Sequence, residues 1–129
     1  MTQDEMKART KQFALRIIRL VQSLPTNLVA DVVGKQLLRS GTSVGANHRA
    51  SCRAKSTAHF IHKLAIVEEE ADEPIYWMEL LTEGKIVKET LLENLIDEAN
   101  QILSIVVLSI KTSKEKRNSK SAFPNPKSL

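Results

Sequence analysis

The chain has 129 residues, 42% of them apolar and 26% charged, the balance of one globular domain and not of a disordered or membrane-embedded chain. Only 4% are aromatic, and with four glycines and four prolines the sequence lacks the strand formers and turns of an all-β fold. Cys52 is the single cysteine, which excludes an internal disulfide, and the formal net charge is +4.

The first predicted helix starts near Asp4 as N-cap. Its stripe runs through Met6, Phe13, Ile17, Leu20 and Leu24 at helical spacing, and Pro25 ends it. The second restarts at Thr26 or Asn27. Leu28, Val29, Val32, Val33, Leu37 and Leu38 carry its stripe, which continues through Gly41, Gly45, His48 and Cys52 toward Lys55. Ser56 or Thr57 then caps a third helix over residues 57–82, with Phe60, Ile61, Leu64, Val67, Ala71, Ile75, Met78 and Leu81 inward. Pro74 lies in its middle, where it removes a backbone hydrogen bond at about 3 kcal/mol, so a kink or a break is expected there. Gly84 is the expected C′ residue. The fourth helix covers residues 88–112, through Leu92, Leu95, Ile96, Ala99, Ile102, Leu103, Val106 and Ile110. Residues 1–112 thus read as an all-α, up-down-up-down four-helix bundle, and residues 113–129 as a disordered basic tail.

No apolar run nears the ~18 residues of a membrane span, and "MTQDEMKART" lacks a signal peptide's apolar core. A soluble, cytoplasmic protein is expected. Its charge is segregated along the chain. Residues 35–63 carry six basic and no acidic side chains, residues 64–110 two basic and eleven acidic, and residues 111–129 six basic and one acidic. Such a chain has one part suited to anions and another suited to cations.

Within the second helix, Gly41-Thr42-Ser43-Val44-Gly45 fits G-x-S-x-G, the nucleophile elbow of serine hydrolases. That elbow follows a strand, and its triad runs Ser, then an acid, then His. Here the preceding residues have helical spacing, the first acid after Ser43 is Glu68, and no histidine follows it. A P-loop fails too, because no lysine follows the second glycine. What remains is packing: two glycines four residues apart on one helical face let another helix come close. Ser40, Gly41, Ser43, Gly45 and Asn47 are therefore expected at a helix-packing or oligomer contact, with the hydroxyls bonding one turn back or across it. The alternative is a loop at "SGTSVG" that splits the helix.

The motifs R-S-G-T-S-V-G-A-N, S-x-A-x-F-I-x-K-L, E-E-A-D-E and Y-W-x-E-L-L, with "SLPTN" at the first link, resemble the four-helix bundle protein family. Members of that family are encoded in intervening sequences of bacterial large-subunit ribosomal RNA genes. The resemblance spans residues 8–112. It implies a ring-like homopentamer and kinship with the accessory variability protein of diversity-generating retroelements, a basic barrel that binds nucleic acid and a reverse transcriptase. The sequence departs from the family pattern at Pro74, where serine or threonine is usual, and at His59, where an acid is usual.

The candidate nucleic-acid-binding residues are Arg16 and Arg19 on the first helix and Lys35, Arg39, Arg49, Arg53 and Lys55 on the second, with His59 and Lys63 extending them. Few aromatics are available to stack on bases, so structured RNA or duplex DNA suits this surface better than single strands. The competing reading pairs these cations with Glu68, Glu69, Glu70, Asp72 and Glu73. No Glu-x-x-His pair is present, and His59-x-x-His62 lacks a third ligand, so no metal or cofactor is expected. No catalytic set assembles. The sequence reads as a non-enzymatic, nucleic-acid-associated accessory protein, the alternative being a protein-interaction scaffold.

Overall fold

A computed structural model of the protein describes residues 1–122. Four helices follow one another: α1 (Gln3–Ser23), α2 (Leu28–Ser51), α3 (Thr57–Glu83) and α4 (Glu89–Ala122). They form an up-down-up-down bundle, and no strand occurs among the described residues.

Local chemistry sets the helix ends. Thr2, not Asp4, caps α1. Its hydroxyl accepts from Glu5 N–H at 3.1 Å, while Thr2 N–H donates to the Glu5 carboxylate at 3.2 Å, a complete capping box. Asp4 falls in the first turn, where the helix dipole favours a negative charge. Leu24 is extended ahead of Pro25, as proline requires of its predecessor. Asn27 caps α2, accepting from Ala30 N–H at 2.9 Å, and Ser56 caps α3, accepting from His59 N–H at 3.1 Å.

Helix α2 is continuous through "SGTSVG", so the loop reading is not realised, and it ends at Ser51, short of Lys55. Helix α3 is also unbroken, and Pro74 does not divide it. The Pro74 ring is fully buried between Ala71 and Met78 on the core face, and that packing offsets the one lost backbone bond. At the α3 exit Lys85, not Gly84, takes the left-handed conformation (φ 60°). Gly84 serves space instead: a Cβ there would stand 2.7 Å from the Leu80 carbonyl oxygen. Helix α4 corrects the expected tail. Residues 113–122 are helical, built from good helix formers with no proline before Pro124, and the rest of that segment lies outside the described residues.

Phe13 and Ile17 of α1, Leu37 and Val44 of α2, Val67, Met78 and Leu81 of α3, and Leu92, Ile102 and Val106 of α4 make up the buried centre. The glycines of α2 set its distance from α1. A Cβ on Gly34 would lie 3.1 Å from Leu24 Cδ1, one on Gly41 2.8 Å from Ile17 Cγ1, and one on Gly45 3.3 Å from Thr10 Oγ1 and 3.5 Å from the Thr10 carbonyl carbon. The partners descend α1 as the glycines ascend α2, which is an antiparallel seam inside one chain.

Candidate nucleic-acid interface

The helix directions bring the N-terminus of α1, the α2–α3 turn and the C-terminal part of α4 to one end of the bundle. A cavity of about 70 Å³ marks the junction, lined by Met1, Thr2, His48, Phe60, Ile105 and Ser109 among others. Around this end Arg49, Arg53, Lys55, His59 and His62 are exposed and Lys63 is half-buried. Lys111, Lys114 and Lys116 are exposed where α4 continues past the start of α1. The opposite end is acidic. Glu79 and Glu83 of α3 face Glu89, Glu93 and Asp97 of α4 across a groove of about 480 Å³. The charge segregation of the sequence thus becomes a polarity along the bundle axis.

The seven cations singled out from the sequence do not share one face. Arg49, Arg53 and Lys55 stand together at the α2–α3 turn. Lys35 lies toward the other end, beside Val21, Leu24 and Pro25 of the α1–α2 link. Arg16 and Arg19 flank Val87, Leu91 and Leu95, on the α4 side of α1. Arg39 faces α3, where its guanidinium contacts Glu70 at 3.3 Å and Glu73 at 2.5 Å. The pairing anticipated for the acidic cluster therefore takes in Arg39 but not its helix neighbours. The bond to Glu73, more than the nearby charge of Glu70, raises the Arg39 pKa above the ordinary guanidinium range. The same bond, with a second from Trp77 Nε1 at 3.1 Å, holds the Glu73 carboxyl below its ordinary value against the opposing effect of burial.

Two features escaped the sequence reading. Lys114 and Lys116 fall in the segment that the sequence reads as a tail, and only the continuation of α4 joins them, beyond Lys111, to the basic end. Arg9 of α1 forms a two-pronged contact with Glu98 of α4, at 2.9 Å through Nε and 2.6 Å through Nη2, and Nη2 also donates to Gln101 at 2.7 Å. No spacing rule finds partners 89 residues apart.

The small-residue stretch resolves into separate roles. Gly41 and Gly45 face α1, and Ser40 is buried with its hydroxyl donating to the Gln36 carbonyl at 3.0 Å. Ser43 donates to the Arg39 carbonyl at 2.6 Å, and Asn47 Nδ2 to the Ser43 carbonyl at 2.9 Å. These polar groups bond one turn back along α2 and do not cross to another helix. Ser43 sits mid-helix, without the strand-to-helix turn of a nucleophile elbow. Among the described residues no three or more His, Cys, Asp or Glu gather as metal ligands, and no helix is long and apolar enough to cross a membrane.

Compared with known proteins, the chain matches the family model described as 23S rRNA-intervening sequence protein over residues 3–107. It is similar to the 1.70 Å crystal structure of a protein of unknown function from the S23 ribosomal protein family of Bacteroides thetaiotaomicron. The TM-score is 0.80 and the identity 37%, over 86% of this chain and 99% of that one. No curated protein matches it. A family model covering most of the chain places this four-helix bundle in the 23S rRNA-intervening sequence protein family.

Proposed function

We propose that the protein is a non-enzymatic accessory protein that binds the phosphate backbone of structured RNA or duplex DNA with the α2–α3 end of its bundle. One observation carries this reading. Arg49, Arg53 and Lys55 are exposed with no ion pair among the described residues, whereas Arg9 and Arg39 are held by carboxylates of the same chain. Cations left unneutralised on one end attract a polyanion and release its counterions on contact. The family description, which names a ribosomal RNA, supports RNA as the first ligand to test.

Self-association belongs to the same proposal, as the homopentamer that the resemblance implies. Its support is an exposed apolar strip. Val32 lies two turns before Arg39 on α2, and Leu80 lies two turns after Glu73 on the antiparallel α3. Since Arg39 and Glu73 touch, this spacing puts Val32 and Leu80 at one level of the α2–α3 flank, and Leu28, Val29 and Tyr76 are exposed on the same two helices. These residues are 36–78% exposed, more apolar surface than a lone bundle gains from leaving in water. Several copies would multiply weak phosphate contacts through effective concentration.

Fluorescence anisotropy with a structured RNA and a duplex DNA, at low and at physiological salt, tests the reading. Binding that weakens with salt and is lost in R49E/R53E/K55E is the expected result. Absence of binding to either ligand at low salt overturns it. Native mass measurement reads the subunit number, and a monomer overturns the self-association.

A further inference from the structure

Among the described residues His48 is the one buried titratable side chain at the basic end, and phosphate binding does not use it. It directly precedes Arg49 on α2 and is only 6% exposed. Its Nδ1 is buried without a hydrogen-bond partner, and its Nε2 lies 3.9 Å from Cys52 Sγ. The ring lines the cavity of about 70 Å³, which residues 1–3 roof. The groups facing it offer no counter-charge. From the α1 side comes Lys7, and from α2 the Cys52 thiol. The wall residues of α3 (Phe60, Leu64) and α4 (Ile105, Val106, Ser109) carry no charge.

A neutral imidazole tolerates this pocket. An imidazolium does not, because it would be buried, unpaired and repelled by Lys7. The cavity has room for about two waters at roughly 30 Å³ each, so solvent reaches a charged ring after a small displacement. The part most easily displaced is the roof. It is held by the solvent-exposed Thr2–Glu5 capping box and by Met6 packing.

We propose that His48 gates the basic end by proton binding: a protonated ring leaves the cavity, the N-terminal turn of α1 opens, and the imidazolium joins Arg49 and Arg53 on the phosphate-facing surface. The last step rests on the nucleic-acid reading, and the first two do not.

Amide hydrogen exchange of the full chain, followed by NMR and corrected for intrinsic rates, tests the opening. Protection of residues 6–10 is expected to fall by up to about tenfold between about pH 7.5 and about pH 5.5. The fall should begin below the ordinary imidazole value of 6.5 and level off where the His48 ring carbons titrate in the same sample. The H59Q/H62Q variant should behave like the original protein, and H48F should stay protected at both pH values. Protection that does not change with pH, or that follows a group other than His48, overturns the gate; the ring titration settles this even where H48F fails to fold. With structured RNA, acidification should tighten binding more in H59Q/H62Q than in H59Q/H62Q/H48F. An equal gain in both overturns the surface-joining step alone. A protein that opens on cue yet binds no RNA refutes the proposed function and leaves the gate standing.

Discussion

Ile17 fills the place where Gly41 would carry a side chain. A Cβ on Gly41 would lie 2.8 Å from Ile17 Cγ1, 2.9 Å from Cγ2 and 3.2 Å from Cβ. Ile17 is completely buried and β-branched, so it has little room to turn aside. G41A therefore gains about 1 kcal/mol of helix propensity and loses about 1–3 kcal/mol to overpacking, a net destabilisation. At Gly45 the nearest atom is Thr10 Oγ1 at 3.3 Å, and at Gly34 it is Leu24 Cδ1, the end of a flexible side chain, at 3.1 Å. G45A should be close to neutral and G34A slightly stabilising. Urea unfolding of the three variants gives the order. If G41A proved the most stable of them, the seam would not be tight.

Arg9 and Glu98 join α1 to α4 with both side chains largely covered, 23% and 20% exposed. The bond to Glu98 raises the Arg9 pKa, against the opposing effect of burial. R9M should cost about 1.5–3 kcal/mol, the range for hydrogen bonds to a charged group, and E98Q somewhat less. A double-mutant cycle in denaturant reads the coupling. The more exposed Arg39 pair should contribute less and fade sooner with added salt.

The bundle itself was legible because its stripes are long and strongly periodic. Leu37, Val67, Met78, Ile102 and Val106 occupy the core that their spacing assigns. The ends were less legible, because caps depend on one hydrogen bond each: Thr2 outcompetes Asp4 only through its reciprocal bond with Glu5. Of the kink or break expected at Pro74, the break is not realised, because the local penalty is offset by a tertiary burial that spacing alone does not reveal. The candidate site was legible at Arg49, Arg53 and Lys55, which are close in sequence. It was not legible at Arg16, Arg19 and Arg39, whose direction depends on which helix lies beside them. Nor was it legible at Lys114 and Lys116, where low apolar content hid the continuation of the helix.

Stability should depend on pH in two separate windows. Burial, with Lys7 adding, lowers the His48 pKa below its ordinary 6.5. The unfolded chain then binds the proton more readily. The contribution is fully present above the unfolded value and lost as pH falls below it toward the folded one. For Glu73, bonding to Arg39 lowers the pKa below its ordinary 4.5. That contribution is present above the unfolded value and lost as pH falls through the folded value, in a more acidic range. Urea midpoints across pH should therefore fall in two steps. H48F should remove the upper step and E73Q the lower. A profile unchanged in H48F would show that the ring is solvated in the folded protein.

Salt dependence separates the cations that meet phosphate from those that hold the fold. Each cation at a phosphate contributes about 0.7–0.9 to the slope of log affinity against log salt, so removing one lowers the slope by nearly one. R49A, R53A and K55A should each do so, because their side chains are exposed at the α2–α3 end. K114A and K116A should do so as well if the phosphate path crosses the α4 extension. R39A should leave the slope unchanged, since Glu70 and Glu73 already neutralise that guanidinium within the chain. A lower slope in R39A with none in R49A or R53A would move the interface from the α2–α3 end to the α2–α3 flank. The acidic groove at the opposite end would then lie nearer the bound polyanion and oppose it, weakening affinity at low salt where repulsion is least screened. Tighter binding at low salt in E79Q/E83Q than in the original protein would betray that arrangement, whereas an interface at the basic end predicts no such gain.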